Sequence, residues 1–174
     1  RLINGQTIET IAKQHLNFWI SHRFGAVNSG FINNFFGLDE ARMRLGLEYG
    51  LTDDWLIGAG RSTIEKTYDV YTKYKVLKQS NKMPLTVSLY GGASTNTMYS
   101  GYTMETGTVM HFANDLQRQS YVAQVLLARK FDDKLSLQLM PTFLHTNKAE
   151  SVNYENNQVA LGVGGRYKLT NRLS

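Results

Sequence analysis

Glu40-Ala-Arg-Met-Arg-Leu-Gly-Leu-Glu-Tyr49 decides how this chain reads. In an extended strand, successive side chains point to opposite faces. Ala41, Met43, Leu45, Leu47 and Tyr49 therefore share one face, while Glu40, Arg42, Arg44, Gly46 and Glu48 share the other. One face is oily and the other is ionic or bare. The stretch does not offer the i, i+3, i+4, i+7 apolar spacing that an amphipathic helix needs.

The same period of two recurs to either side. In His15 to Phe24, the residues Leu16, Phe18, Ile20 and Phe24 oppose Asn17, Ser21 and Arg23, and Trp19 breaks the polarity of the second face. Downstream, Trp55, Ile57 and Ala59 oppose Gly58 and Gly60, then Val70, Tyr74 and Val76 oppose Lys73 and Lys75. Leu85, Val87 and Leu89 oppose Thr86, Ser88 and Tyr90; Tyr121, Ala123, Val125 and Leu127 oppose Gln124. Leu135, Leu137, Leu139 and Phe143 oppose Ser136, Gln138 and Thr142, and Val159, Leu161, Val163 and Tyr167 oppose Gln158, Gly162, Gly164 and Arg166. About eight strands are predicted, each near the roughly 9 to 11 residues that a tilted strand needs to cross a bilayer.

Connections carry a second signal. Tyr49-Gly-Leu-Thr-Asp-Asp-Trp55, Lys130-Phe-Asp-Asp-Lys-Leu135 and Tyr167-Lys-Leu-Thr-Asn-Arg-Leu173 are variants of one tight turn, with Asp or Asn supplying the turn conformation. Lys78-Gln-Ser-Asn-Lys-Met-Pro84 is a slightly longer fourth. Between them lie longer links at 25–39, 63–69, 94–118 and 147–155, so short and long connections are expected to alternate strictly. In an up-and-down antiparallel barrel every second connection falls at the same end, which predicts one trimmed rim and one elaborated rim. Residues 1–13 precede the first strand; Ile3, Ile8 and Ile11 there fit a short helix or an extended arm at the short-turn rim. Residues 14–174 are expected to form the barrel strands. The segment Lys168 to Ser174 reads as a turn entering a further strand, so the barrel is expected to be larger than the eight strands visible.

Composition leaves the outer solvent open. The mean hydropathy of −0.33 and the lack of an apolar run near 18 to 20 residues exclude membrane helices but not a transmembrane barrel, whose apolar residues occupy alternate positions. With no cysteine there is no disulfide, no thiolate metal site and no thiol nucleophile. The net charge of +5 permits anionic partners, but Lys and Arg are scattered singly along strands and argue against nucleic acid. A soluble β-sandwich or lipocalin-like barrel would show the same alternation with its faces exchanged. Aromatic placement favours lipid outside: Tyr49, Trp55 and Tyr167 fall beside the short-turn rim, Phe24, Tyr121 and Phe143 near the opposite one, and Leu, Val, Ile and Ala between. Two aromatic belts around an aliphatic band suit two membrane interfaces.

Ile20-Ser-His-Arg-Phe-Gly25, Asn33-Asn-Phe-Phe-Gly-Leu-Asp39 and Arg44-Leu-Gly-Leu-Glu-Tyr-Gly50 together resemble a family of uncharacterised β-barrel proteins from the Bacteroidetes envelope, known chiefly as a domain of unknown function. Gly58-Ala-Gly-Arg-Ser62, Lys66-Thr-Tyr-Asp69 and Lys73-Tyr-Lys75 continue the likeness through most of the first half, and the second half agrees in turn spacing and alternation. The resemblance implies an outer-membrane barrel of a Gram-negative bacterium with more than eight strands. It brings no catalytic, cofactor or binding residues.

The inner row is the constellation with functional content. Arg23, Arg42, Arg44, Glu48, Lys73, Lys75 and Arg166 are expected to face the lumen, where excess positive charge favours anions. A closed interior of mutually satisfied Arg–Glu pairs competes with a water-filled, porin-like passage. His15 and His22 fall on opposite faces of one strand and His111 and His145 in or beside long links, so no metal site is expected. Gly58-Ala-Gly60 and Gly162-Val-Gly-Gly165 open no helix and lack the geometry of phosphate loops; as small inward positions they let neighbouring side chains cross a narrow lumen. The link 94–118 carries Met98, Tyr99, Tyr102, Met104, Met110 and Phe112, fitting either a docking surface or inward constriction, or strands that extend beyond the membrane as a hairpin. A passive small-solute channel is the leading expectation, with outer-membrane lipid as its surroundings. An adaptor barrel holding other envelope proteins through its long loops comes second. A hydrolase using His145 comes third; no enzyme activity and no cofactor are expected.

Overall fold

The structure, a computed structural model, describes residues 5–25, 42–103, 109–147 and 155–168. The expected features at Ile3, 26–41, Met104, 148–154 and 169–174 lie outside the described residues. The strands are β1 (Leu16–Arg23), β2 (Arg42–Thr52), β3 (Trp55–Ser62), β4 (Tyr68–Leu77), β5 (Thr86–Thr95), β6 (Tyr102–Thr103), β7 (Val109–Met110), β8 (Gln119–Lys130), β9 (Leu135–Thr146) and β10 (Asn157–Tyr167). Eight of them form one antiparallel meander in the order β1-β2-β3-β4-β5-β8-β9-β10, and β6 and β7 pair as a separate small hairpin.

Register fixes which side chains share a face, because directly opposite residues in an antiparallel pair point the same way. Glu48 faces Gly58, Gly58 faces Tyr71, and Tyr71 faces Gly92. Lys73 faces Tyr90, Tyr90 faces Gln124 and Gln124 faces Thr142. On the other face Phe18, Leu47, Ala59, Val70, Ala93 and Tyr121 make one continuous row. The period of two therefore runs in phase across the whole sheet.

The sheet is strongly curled. In a flat sheet the five strand spacings from β1 to β8 would hold them about 24 Å apart. Instead Trp19 of β1 and Gln124 of β8 line one cavity. The polar row is on its concave side, and this polarity is the reverse of a water-soluble protein's. Lys73 is 5% and Glu48 7% exposed, while Val70 on the convex side is 60% exposed. A soluble fold buries its apolar row and hydrates its charges; here the leucines and valines need a solvent that is itself apolar.

Connections differ from expectation at one place. The turns at 53–54, 78–85 and 131–134 are at one rim, and the strand ends Arg23, Arg42, Ser62, Tyr68, Thr95, Gln119, Thr146 and Asn157 are at the other. The link 63–67 is shorter than the turn 78–85, so lengths do not alternate strictly. A 3-10 turn over Ile64–Lys66, with Glu65 and Lys66 in the left-handed region, closes it through the Ser62 amide donating to Thr67 O at 2.8 Å. In the turn 131–134, Asp132 accepts from the amides of Lys134 and Leu135, both at 2.7 Å, which hold its carboxyl below the usual carboxylate range. That bracing is therefore complete at neutral pH and is lost as pH falls through the lowered value.

Val70→Arg places a cation in the middle of the convex apolar row. It should cost about 2–4 kcal/mol of stability in a bilayer if that row lies near the midplane, the scale set for lipid-facing barrel positions, measured by denaturant unfolding of the refolded protein in vesicles. An unchanged midpoint would place this face in water.

Candidate functional site: the charged interior and its N-terminal arm

The interior is built around glycines that give up their own volume. At Gly58 an added Cβ would lie 2.3 Å from the Tyr71 ring, and at Gly46 2.2 Å from the Trp19 indole. The tyrosine uses that space to reach Glu48, donating from Oη to Oε1 at 2.8 Å, and Asn17 Nδ2 donates to Oε2 at 3.2 Å. Arg44 crosses over Gly60 to pair with Asp69, and its guanidinium stands 5.2 Å from the centre of the Trp19 ring. Trp19, which broke the polar pattern, is thus an inner residue and the platform of the arginine. The interior thus holds an Arg–Asp pair, and Glu48 accepts from a tyrosine and an asparagine.

The second half of the interior is filled by residues 5–14. They form no helix, and they run from the short-turn rim into the concavity. At the rim the Gln14 amide donates to Gly50 O at 2.8 Å, Thr10 Oγ1 donates to Asp53 O at 2.6 Å, and the Lys13 amide donates to Asp53 Oδ1 at 2.9 Å. A Cβ on Gly50 would stand 2.2 Å from Ala12 O, so the arm passes against bare backbone. Deeper in, Lys73 Nζ donates to Thr7 O at 2.8 Å and Lys75 Nζ to Thr10 Oγ1 at 3.3 Å. Across the lumen, Gln138 Nε2 donates to Gln6 O at 2.7 Å and its Oε1 accepts from the Ile8 amide at 3.3 Å. One glutamine side chain thus pairs with the arm as a neighbouring strand would. The arm is extended, as one of the two sequence expectations had it, but it occupies the interior and not the rim alone.

Beside the arm a cavity of about 620 Å³ remains, lined by Gln6, Thr7, Glu9, Trp19, Arg44 and Tyr90 among others. Arg23 also lines it and is the register partner of Arg42. Of the seven charged residues expected inside, Arg23, Arg44, Glu48 and Lys73 line this cavity, Lys75 holds the arm, and Arg42 stands at the rim. Arg166 is on the same face but far along the sheet on β10, opposite Ser136 and outside the cavity lining. Gln138 and the arm contacts escaped the sequence because a glutamine in an alternating strand carries no mark of its partner 130 residues away.

The aromatics expected at the interfaces are Phe24, just past β1, and Tyr49, Trp55, Tyr121, Phe143 and Tyr167 on the convex face; all six are more than a third exposed. Trp55 Nε1 donates to Thr72 Oγ1 at 2.8 Å and its ring meets Tyr74 edge-on. His145 sits between Asn157 Oδ1 at 2.7 Å and Asn147 Oδ1 at 2.9 Å, with its ring stacked on Tyr121. Among the described residues no group of three His, Cys, Asp or Glu side chains is placed to hold a metal. The link 96–118 contains the β6–β7 hairpin, in which Tyr102 and Met110 are buried against Met98 and Phe112. Its apolar residues therefore serve a small core of their own, leaving Tyr99 71% exposed.

A family model described as membrane bound beta barrel domain (DUF5777) matches residues 1–174. No curated protein and no solved structure matches the chain.

Gln138→Ala leaves the Ile8 amide and Gln6 carbonyl without partners in the interior. Losing two such bonds should weaken the docked arm by about 1–3 kcal/mol. Hydrogen exchange at Ile8 should accelerate by roughly ten- to a hundredfold while the β8 and β9 amides keep their protection.

Proposed function

The chain belongs to this family of membrane-bound β-barrel domains, and from that premise we propose that it is an outer-membrane barrel of a Gram-negative envelope that passes small solutes through a charged lumen, with residues 5–14 as its resident plug. The observation that carries this proposal is the arm, hydrogen-bonded to Lys73, Lys75 and Gln138 on the concave face. Interior groups held by hydrogen bonds can exchange them for water; an apolar core could not. The cavity is lined by the cations Arg23, Arg44 and Lys73 against Glu9 and Glu48. Such an excess of positive charge favours anionic solutes. The short turns face the periplasm in barrels of this kind and the long links face outward.

A second proposal is an adaptor barrel that binds other envelope proteins. It draws on the β6–β7 hairpin, whose separate small core gives the long-link rim a shaped, protruding element with Tyr99 exposed.

The absence of native cysteine allows a clean test. Thr10→Cys and Lys75→Cys, joined by a short reducible cross-linker, should hold the arm in place. In planar bilayers the cross-linked protein should be nearly silent, and reduction should restore discrete conductance steps. Arg42→Glu with Arg44→Glu should then shift the reversal potential from anion towards cation preference. Silence in every state, including after deletion of residues 5–13, would rule out the channel and leave the adaptor. Equal conductance with the arm locked or free would rule out the plug alone.

A further inference from the structure

The convex face carries a depression that the interior does not explain. Across β2 to β5 its rows are Tyr49, Ile57, Thr72 and Gly91, then Leu47, Ala59, Val70 and Ala93. Ala59, Gly91 and Ala93 are too small to complete the apolar surface, and a groove of about 560 Å³ opens over them. Thr72 is already satisfied, since it donates to Leu56 O at 3.0 Å and accepts from Trp55, so it presents no free polar group to whatever lies there. An apolar trough on a lipid-facing surface is a seat for an acyl chain.

What stands at its two ends narrows the occupant. The next row towards the long links contains Arg61 and Tyr68, register partners on the same convex face. Arg61 Nε donates to Tyr68 Oη at 3.0 Å, and the guanidinium stands 5.5 Å from the centre of that ring. Arg61 is partly exposed and has no acidic partner among the described residues. The next row towards the short turns contains Trp55 and Tyr74. Arg61 is six steps along β3 from Trp55, about 20 Å of strand, so a cation stands at one end of the trough and an aromatic pair at the other. A lone cation at a membrane surface attracts anionic headgroups, and an arginine fork matches a phosphate.

We propose that this groove binds one anionic phospholipid, with an acyl chain over Ala59, Gly91 and Ala93 and the phosphate on Arg61. The site is separate from the lumen and does not depend on whether solutes pass through it.

The full chain, refolded into vesicles of equimolar phosphatidylcholine and phosphatidylglycerol and extracted mildly, is examined by native mass spectrometry. Phosphatidylglycerol should be retained about fivefold over phosphatidylcholine, the preference expected of one basic residue at a lipid surface. Arg61→Gln should equalise the two lipids without reducing the number retained. Ala93→Leu, which fills the trough, should reduce retention of both, and Ala59→Val should do so more weakly; heat-modifiable migration on gels verifies that each variant folds. Equal retention of the two lipids by the parent, an unchanged preference in Arg61→Gln, or full retention in Ala93→Leu would each overturn the proposal. So would a dimer in place of bound lipid, which would make the groove a contact between copies.

Discussion

Lys73, 5% exposed, and Val70, 60% exposed, lie three residues apart on opposite faces of β4, and the rest of the structure follows from reconciling them. Burying an ammonium group is costly unless hydrogen bonds replace its water. Lys73 finds a carbonyl of the arm, and Glu48 finds Tyr71 and Asn17. Exposing a band of Leu, Val, Ile and Phe is costly only in water. Hydrocarbon against the convex side and hydrogen-bond partners on the concave side satisfy both rows at once.

From that constraint comes the use of glycine. Where the largest rings cross the interior, the residue opposite is bare: Tyr71 faces Gly58 and Trp19 faces Gly46. Gly58, in one of the stretches that superficially resemble a phosphate loop, is the vacated half of one such pair. The same economy admits the arm at Gly50, where backbone meets backbone. Polar interior, bare inner positions and a strand-like arm are therefore one arrangement. It leaves an unfilled space beside the arm, lined in part by Arg23 and Arg44.

Some of this was legible before any coordinates. The in-phase alternation gave eight strands in meander order, and the Asp- and Asn-bearing turns located one rim, because both signals are local. Trp19 was readable as an anomaly, and the bare Gly46 in the next strand was its only clue, visible once register paired the two. The length of the link 63–67 was misjudged since a turn closed by left-handed Glu65 and Lys66 has no glycine to announce it. Gln138 offered nothing to read: its role exists only because curvature brings β9 within reach of the arm.

The sequence by itself determined that there are two faces of opposite character and which residues belong to each, since parity along a strand is a property of the chain. It did not determine which face is inside, because a soluble barrel and a membrane barrel share the same alternation. Tertiary structure decided that through the direction of curvature, which puts Glu48, Lys73 and Gln138 in the concavity and Leu47 and Val70 on the outside. Curvature is the summed effect of pairing between strands far apart in sequence, and no single stretch of residues records it.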